Sequence, residues 1–357
     1  MTSTSLNQMT YSDSQILNQD AESDFSMMDT EIESILSFCS QQSESDSDRL
    51  IKSLLGDAIN KRFQTGKIHE HIYLKNDEVS QIQLFNILIE KFPFVKYSQL
   101  ITNNAIIETI GTATEASIID IGIGQGAQIL HVIELARKLP NLKKLRIIGI
   151  EPFLDALQKA TININACKEN VPFEIEFTGI HGFIEAFDFG SLQNLPGTLI
   201  VNASLALHHI QQQQKREEVI AAIKKLSPAA FILIEPNVDH FEKNLPIRFM
   251  NCYHHYYNIF KVIDRLDIDQ KDKTSLKLFF GREIEDVIGK AETDRYEKHE
   301  KAIAWIERLE RNGFTLQSSQ LTSPVKSAVG VDIAYHTEGF LGFTNETETV
   351  LAVMYAN

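Results

Sequence analysis

Cysteine is scarce in this chain: three residues in 357, Cys39, Cys167 and Cys252, far apart and without paired spacing. That argues against a disulfide frame or a cysteine-based zinc cluster and fits a reducing cytoplasm. Long apolar runs are missing too. Stretches such as Ala229 to Ile234 fall far short of the ~20 residues that cross a bilayer, so no membrane partner is expected. The first 48 positions hold no Lys or Arg and no continuous apolar core, so no secretory leader is read there. They carry ten acids, −10 of the net −14, and the remaining 38 acids against 34 bases leave the body nearly neutral. Neither part shows the basic stripe that a nucleic-acid partner requires.

What is present is a 43% hydrophobic fraction, enough for one large core or two smaller ones, and one stretch that organises the rest. Ile118-Ile119-Asp120-Ile121 reads as a buried strand, and Gly122, Gly124 and Gly126 as a turn with exposed backbone. Ile129, Leu130, Val132, Ile133, Leu135 and Ala136 then recur at helical spacing, which aims a helix N-terminus at any ligand lying on the turn. Two nucleotide readings compete with a plain βαβ turn bearing a solvated acid. Gly122-x-Gly124-x-x-Ala127 satisfies the loose dinucleotide fingerprint. Asp120, two residues before the first glycine, favours the amine end of S-adenosylmethionine over a pyrophosphate, which it would repel. The next strand, Leu145 to Ile150, ends in Glu151, placed for ribose hydroxyls in either cofactor.

Along the chain, residues 1–46 read as an acidic disordered tail, with Phe25, Met28, Ile32, Ile35, Leu36 and Cys39 as a short amphipathic segment that could dock a protein partner. Residues 47–111 carry three apolar stripes at helical spacing and read as part of a cap. From 112 to 357 short apolar strands (117–121, 145–150, 173–177, 198–202, 230–234) alternate with helices, so the sheet is expected to be mostly parallel. A long helical insertion, about 240–290, is expected to join the cap over the strand ends. A helix is then expected from Tyr296 to Arg311, followed by two closing strands at Phe314–Gln317 and Thr349–Tyr355. The fold class is thus α/β: a Rossmann-like methyltransferase core with a late antiparallel strand and an α-helical cap.

Val201-Asn202 through Leu207-His208-His209-Ile210, then Leu226-Ser227-Pro228, resembles the fourth-strand region of class I methyltransferases. A more specific resemblance, over about residues 47–357, is to the GRAS family, best known as plant regulators but with bacterial members. Ala116-Ser117-Ile118-Ile119-Asp120 stands where that family has Val-His-Ile-Ile-Asp, and Gln125-Gly126-Ala127-Gln128 resembles its Gln-Gly-x-Gln. Leu100 to Glu108 resembles its Phe-Thr-Ala-Asn-Gln-Ala-Ile-Leu-Glu and places Asn103 on the matching asparagine. Gly281-Arg282-Glu283-Ile284, Asp294 to Glu300, and Ala304-Trp305-Ile306 to Gly313-Phe314 are similar to three later motifs, whereas Val353-Met354-Tyr355 departs from the closing Ser-Ala-Trp. The resemblance implies a methyltransferase-like core under a helical cap and leaves activity open. The intact glycine loop favours a bacterial-type member that binds a nucleoside cofactor and methylates a small molecule; the alternative is a non-catalytic regulatory module that binds a ligand or a protein.

Candidate residues follow from these readings. Asp120, Gly122, Gly124, Gly126, Gln128, Glu151 and Asn202 are assigned to S-adenosylmethionine. His208 and His209 are the candidate bases, since imidazole is largely neutral near pH 7. Asn103, Glu235, Asn237, Tyr253 and Tyr256 are candidates for a small-molecule substrate. Arg295, Glu297 and His299 are explained equally well by a charged helical face, and no metal-ligand spacing stands out.

Overall fold

The computed structural model describes residues 32–63 and 81–357. Among the described residues four helices precede the first strand: α1 (residues 32–39), α2 (Asp46–Phe63), α3 (Gln81–Glu90) and α4 (Pro93–Ile110). Pro93 cannot extend α3, yet its fixed φ suits the first turn of α4, which Gly111 then ends. The alternating part follows as β1 (Glu115–Ile121), α5 (Ala127–Ala136), β2 (Lys144–Glu151), α6 (Leu154–Cys167), β3 (Glu174–His181), β4 (Thr198–Ser204), α7 (Gln213–Lys225) and β5 (Ala230–Pro236). Then come α8 (Leu245–Asp264), α9 (Gln270–Ile284), α10 (Ala302–Arg311), β6 (Ser327–Ala328), β7 (Val331–His336), β8 (Phe340–Asn345) and β9 (Glu348–Ala356).

These strands make one sheet in the order β3-β2-β1-β4-β5-β9-β8-β7-β6. β1 to β5 pair in parallel and β9 joins β5 antiparallel, which is the expected α/β sheet, mostly parallel with a late antiparallel strand. The order reverses between β1 and β4. The chain therefore leaves those two strands in opposite directions and opens a crevice at their carboxyl ends, where α/β sheets hold ligands.

Side chains alternate across the sheet. Ile118, Ile147, Ile200 and Ile232 enter an apolar core on one face, shared with α2, α4, α5, α6, α8 and α9. Ile119, Ile148, Val201 and Phe231 enter the other, beneath α7 and α10. The helices expected to form a lid are thus continuous with the core of one sheet face. α1 packs there as well: Ile35 is buried, and the Phe38 ring lies edge-on to Phe249 and Tyr253 of α8. Phe25 and Met28 of the expected docking segment lie outside the described residues.

Two expectations are corrected. Residues 314–317 form no strand, only an isolated bridge from Leu316 to Ala356; the hairpin β7–β8 supplies the closing strands beside β9. Residues 296–301 are not helical. The backbone N–H groups of Tyr296 and Glu297 both donate to Asp286 Oδ2, each at 2.7 Å, and the His299 carbonyl accepts from His240. Sideways bonds replace the helical ladder, so α10 starts only at Ala302.

Arg216 of α7 ties these parts together. Its fully buried guanidinium donates to the carbonyls of His208, Ile210 and Lys298 and pairs with Glu300 at 2.7 Å, and it lies against the Phe241 and Trp305 rings. Removing it strands a buried carboxylate and three carbonyls. Arg216→Leu should therefore cost about 3–5 kcal/mol in urea unfolding. Arg216→Lys should recover little, since an ammonium lacks the planar fork. A loss below about 1 kcal/mol would show that Arg308, which also reaches Glu300, suffices.

Candidate functional site

Parallel register sets Asp120 between Gly149 of β2 and Asn202 of β4. Asn202 Nδ2 donates to Asp120 Oδ1 at 2.7 Å and to Gln128 Oε1 at 3.3 Å, while Gln128 Nε2 donates to Asn103 Oδ1 at 3.0 Å and Thr102 Oγ1 at 3.1 Å. A buried polar chain thus runs from α4 through α5 and β4 to the tip of β1. Four sequence-predicted residues, Asn103, Gln128, Asn202 and Asp120, are brought together in it. Asn103 is a buried link of this chain. Asn202 Oδ1 is buried with no hydrogen-bond partner among the described residues.

The glycine turn after β1 is tight. Gly122 has φ 75°, and a Cβ there would stand 2.7 Å from the Ala206 Cβ, so a side chain at Gly122 would collide with the turn after β4. Gly124 has φ 55° and would point a Cβ into open space, leaving bare backbone on that side. Glu151 lies behind the turn. It accepts from Gly124 N at 2.9 Å and Phe153 N at 3.1 Å, so the carboxylate expected to face ribose braces the loop with both oxygens. Burial raises its pKa against those two hydrogen bonds.

Asp120 is the more strained acid. Burial and then the nearby Glu151 charge push its carboxyl from an ordinary 3.8 to about 7, against the Asn202 hydrogen bond. The folded chain therefore keeps a proton that the unfolded chain has released, so Asp120 subtracts from stability as pH rises from about 4 to about 7. Asp120→Asn should leave stability unchanged below pH 4 and raise it, by about 4 kcal/mol at most, at pH 8. Urea unfolding across that window reads the difference; equal curves at pH 8 would show a compensated charge.

At the tips of β4 and β5 lies a second, separate cluster. Leu205 takes a left-handed φ of 55° in the turn after β4, held by its N–H to the Ile234 carbonyl, and Glu235 Oε1 accepts from Leu207 N. This turn sets His208 Nδ1 at 2.6 Å from Glu235 Oε2 and its Nε2 at 3.4 Å from Glu297 Oε2. Burial disfavours the imidazolium, but the two carboxylates outweigh it and lift His208 to about 10. Burial first, then the neighbouring imidazolium, hold His209 down at about 4. The two shifts run in opposite directions, both away from the near-neutral range that suits the general base expected here.

The remaining substrate candidates are each hydrogen-bonded within the protein. Glu235 is fully engaged with His208 and Leu207. Asn237 bridges the Thr349 carbonyl and the Ala302 N–H, fixing the start of α10. The Tyr253 hydroxyl donates to Asp48 of α2 and that of Tyr256 to Glu283 of α9, both at 2.8 Å. Conversely, Glu297 and His299 sit 3.1 Å apart and buried, not on a charged helical face, with His240 and His255 beside them. Single-residue spacing gave no hint of that gathering; the similarity of the 294–300 motif to a family pattern was its only trace.

Comparison with known proteins decides the family. The model of the GRAS domain family matches residues 15–340. The chain belongs to the GRAS family. Similar curated proteins include Chitin-inducible gibberellin-responsive protein 2 of Oryza sativa subsp. japonica, 28% identical over 279 residues, 72% of this chain and 50% of that protein. The Scarecrow-like transcription factor PAT1 of Arabidopsis thaliana is 28% identical over 251 residues, 66% and 51%. The crystal structure of SCL7 in Oryza sativa matches with a TM-score of 0.74 at 21% identity, over 90% of this chain and 92% of that one, so the GRAS fold is shared. The chain spans about half the length of the curated relatives it matches. Among the described residues no helix is long and apolar enough to cross a membrane.

Proposed function

We propose that this GRAS chain is a non-catalytic regulatory module that binds a protein partner. One observation carries the reading: His208 is clamped as an imidazolium between Glu235 and Glu297, so the strand tip where a base was expected is committed to holding the fold. The relatives point the same way, since one of them is named a transcription factor. The acidic amino-terminal stretch, −10 over 48 residues, suits a partner with a basic surface.

A second reading keeps a specific footing in the glycine turn. Methyl transfer draws most of its rate from positioning and needs no dedicated base. Open space over Gly124 and the unpartnered Asn202 Oδ1 fit a nucleoside such as that of S-adenosylmethionine. Asp120 would take its ammonium group and the loop backbone would lie along it; the cofactor would supply the methyl group. A cationic ligand would also relieve the cost of the buried Asp120 carboxylate.

The two readings separate in one experiment. The full chain, as wild type and as Gly124→Asp, is used to capture partners from extract and is incubated with methyl-labelled S-adenosylmethionine. We expect both forms to retain the same partner and neither to transfer label. Label transfer by the wild type that Gly124→Asp abolishes would replace the regulatory reading with the enzymatic one.

A further inference from the structure

We infer that His208, His209 and Glu297 form a binding site for one divalent cation of the zinc class. His208 Nε2 lies 3.4 Å from Glu297 Oε2 and His209 Nδ1 lies 3.7 Å from Glu297 Oε1. One ligand atom from each of the three residues falls within 4.8 Å of the others. Zinc binds imidazole nitrogen and carboxylate oxygen at about 2.0–2.2 Å, so tetrahedral ligand atoms stand roughly 3.3–3.6 Å apart. Each histidine faces a different oxygen of Glu297, so the carboxylate can meet a cation through either oxygen or both, and the three ligand atoms, all within 4.8 Å of one another, draw in by up to about an ångström on binding.

The surroundings match what such a site requires. A metal-bound imidazole typically gives its other N–H to a carboxylate, which fixes the ring and the tautomer. Glu235 holds His208 Nδ1 in this way at 2.6 Å. Glu297 is steadied in turn by His299 Nε2 at 3.1 Å, and His299 by His240 through a 2.9 Å contact between their Nδ1 atoms. The His209 side chain is 39% exposed and gives the cation a route from solvent and a face for a water ligand. Two histidines and one carboxylate with an open position form a donor set suited to zinc or cobalt. On binding, the cation takes the place of the proton between His208 Nε2 and Glu297, and that proton leaves to solvent. Glu283 and His299 approach Glu297 from another side as a second ligand-like group, so the test must separate the two.

His209 provides that separation, because its partial exposure makes it the member whose loss the fold should tolerate. The full chain, stripped with a chelator, is titrated with cobalt(II), followed by visible absorption and then displaced with zinc. We expect one cobalt per chain with visible bands that zinc abolishes, and a rise in thermal midpoint with either metal. His209→Ala, checked for an unchanged metal-free unfolding midpoint, should weaken binding by about tenfold or more. The double variant His69→Ala/His71→Ala, which removes another closely spaced histidine pair in the sequence, should bind as the wild type does. Absence of bands with the wild type, bands that survive in His209→Ala, or equal weakening in the double variant would each overturn the assignment.

Discussion

A buried imidazolium between two buried carboxylates is the constraint on which the carboxyl end of this sheet depends. Glu235 and Glu297 are each about 1% or less exposed, and an unpaired carboxylate at that depth would cost several kcal/mol. His208 offsets both at once, and it reaches them only because the Leu205 backbone turns through a left-handed conformation. Everything adjoining then follows. Glu297 must arrive on extended chain, so residues 296–301 abandon the helix, and Arg216 must gather the carbonyls that this extended chain exposes.

The glycine turn obeys a different economy, one of space rather than charge. Gly122 lets the turn after β1 touch the turn after β4 at Ala206, so the crevice at the switch point is narrowed from both sides. Glu151 holds that turn from behind, and the chain from Asn103 to Asp120 holds it from below. The two sites are neighbours on adjoining strands but are organised independently. One is a nearly closed ion cluster; the other is bare backbone over a carboxylate kept at electrostatic cost.

The parallel sheet is legible in the sequence because most of its strands are short apolar runs rich in Ile, Leu and Val, each followed by a helical pattern, and the glycine turn marks the end of the first. Asp120, Gln128 and Asn202 are legible together as residues of the strand tips and the glycine turn, whereas Asn103, read apart from them as a substrate residue, joins them only because α4 packs on α5. The partners of Tyr253, Tyr256 and Asn237 are not legible, because they lie on α2, α9 and β9, elements that only the tertiary fold brings beside them. The hairpin β7–β8 was missed because Val331-Asp332-Ile333 alternates on a short edge strand, a weak pattern beside the continuous runs of the core. Glu297 and His299 were hidden for a deeper reason. Their charge suggests a solvated helix face, and only the lateral hydrogen bonds donated to Asp286 and accepted from His240 reveal that the segment is extended and buried.

Retention of a costly group says more than its presence. Asp120 lies buried beside Glu151 with one amide donor for comfort, and its carboxyl is raised to about 7 in consequence. A scaffold selected for stability alone would do better with an apolar or amide side chain at that strand tip. His208 and Glu235 differ in this respect, because their opposite charges lie 2.6 Å apart and offset each other. The uncompensated acid beside open space at Gly124 is therefore the feature on which the ligand-binding reading rests, since a cationic or hydrogen-bond-donating group there would relieve its cost. Binding such a ligand and turning it over are separate properties, and the locked histidines bear on the second alone.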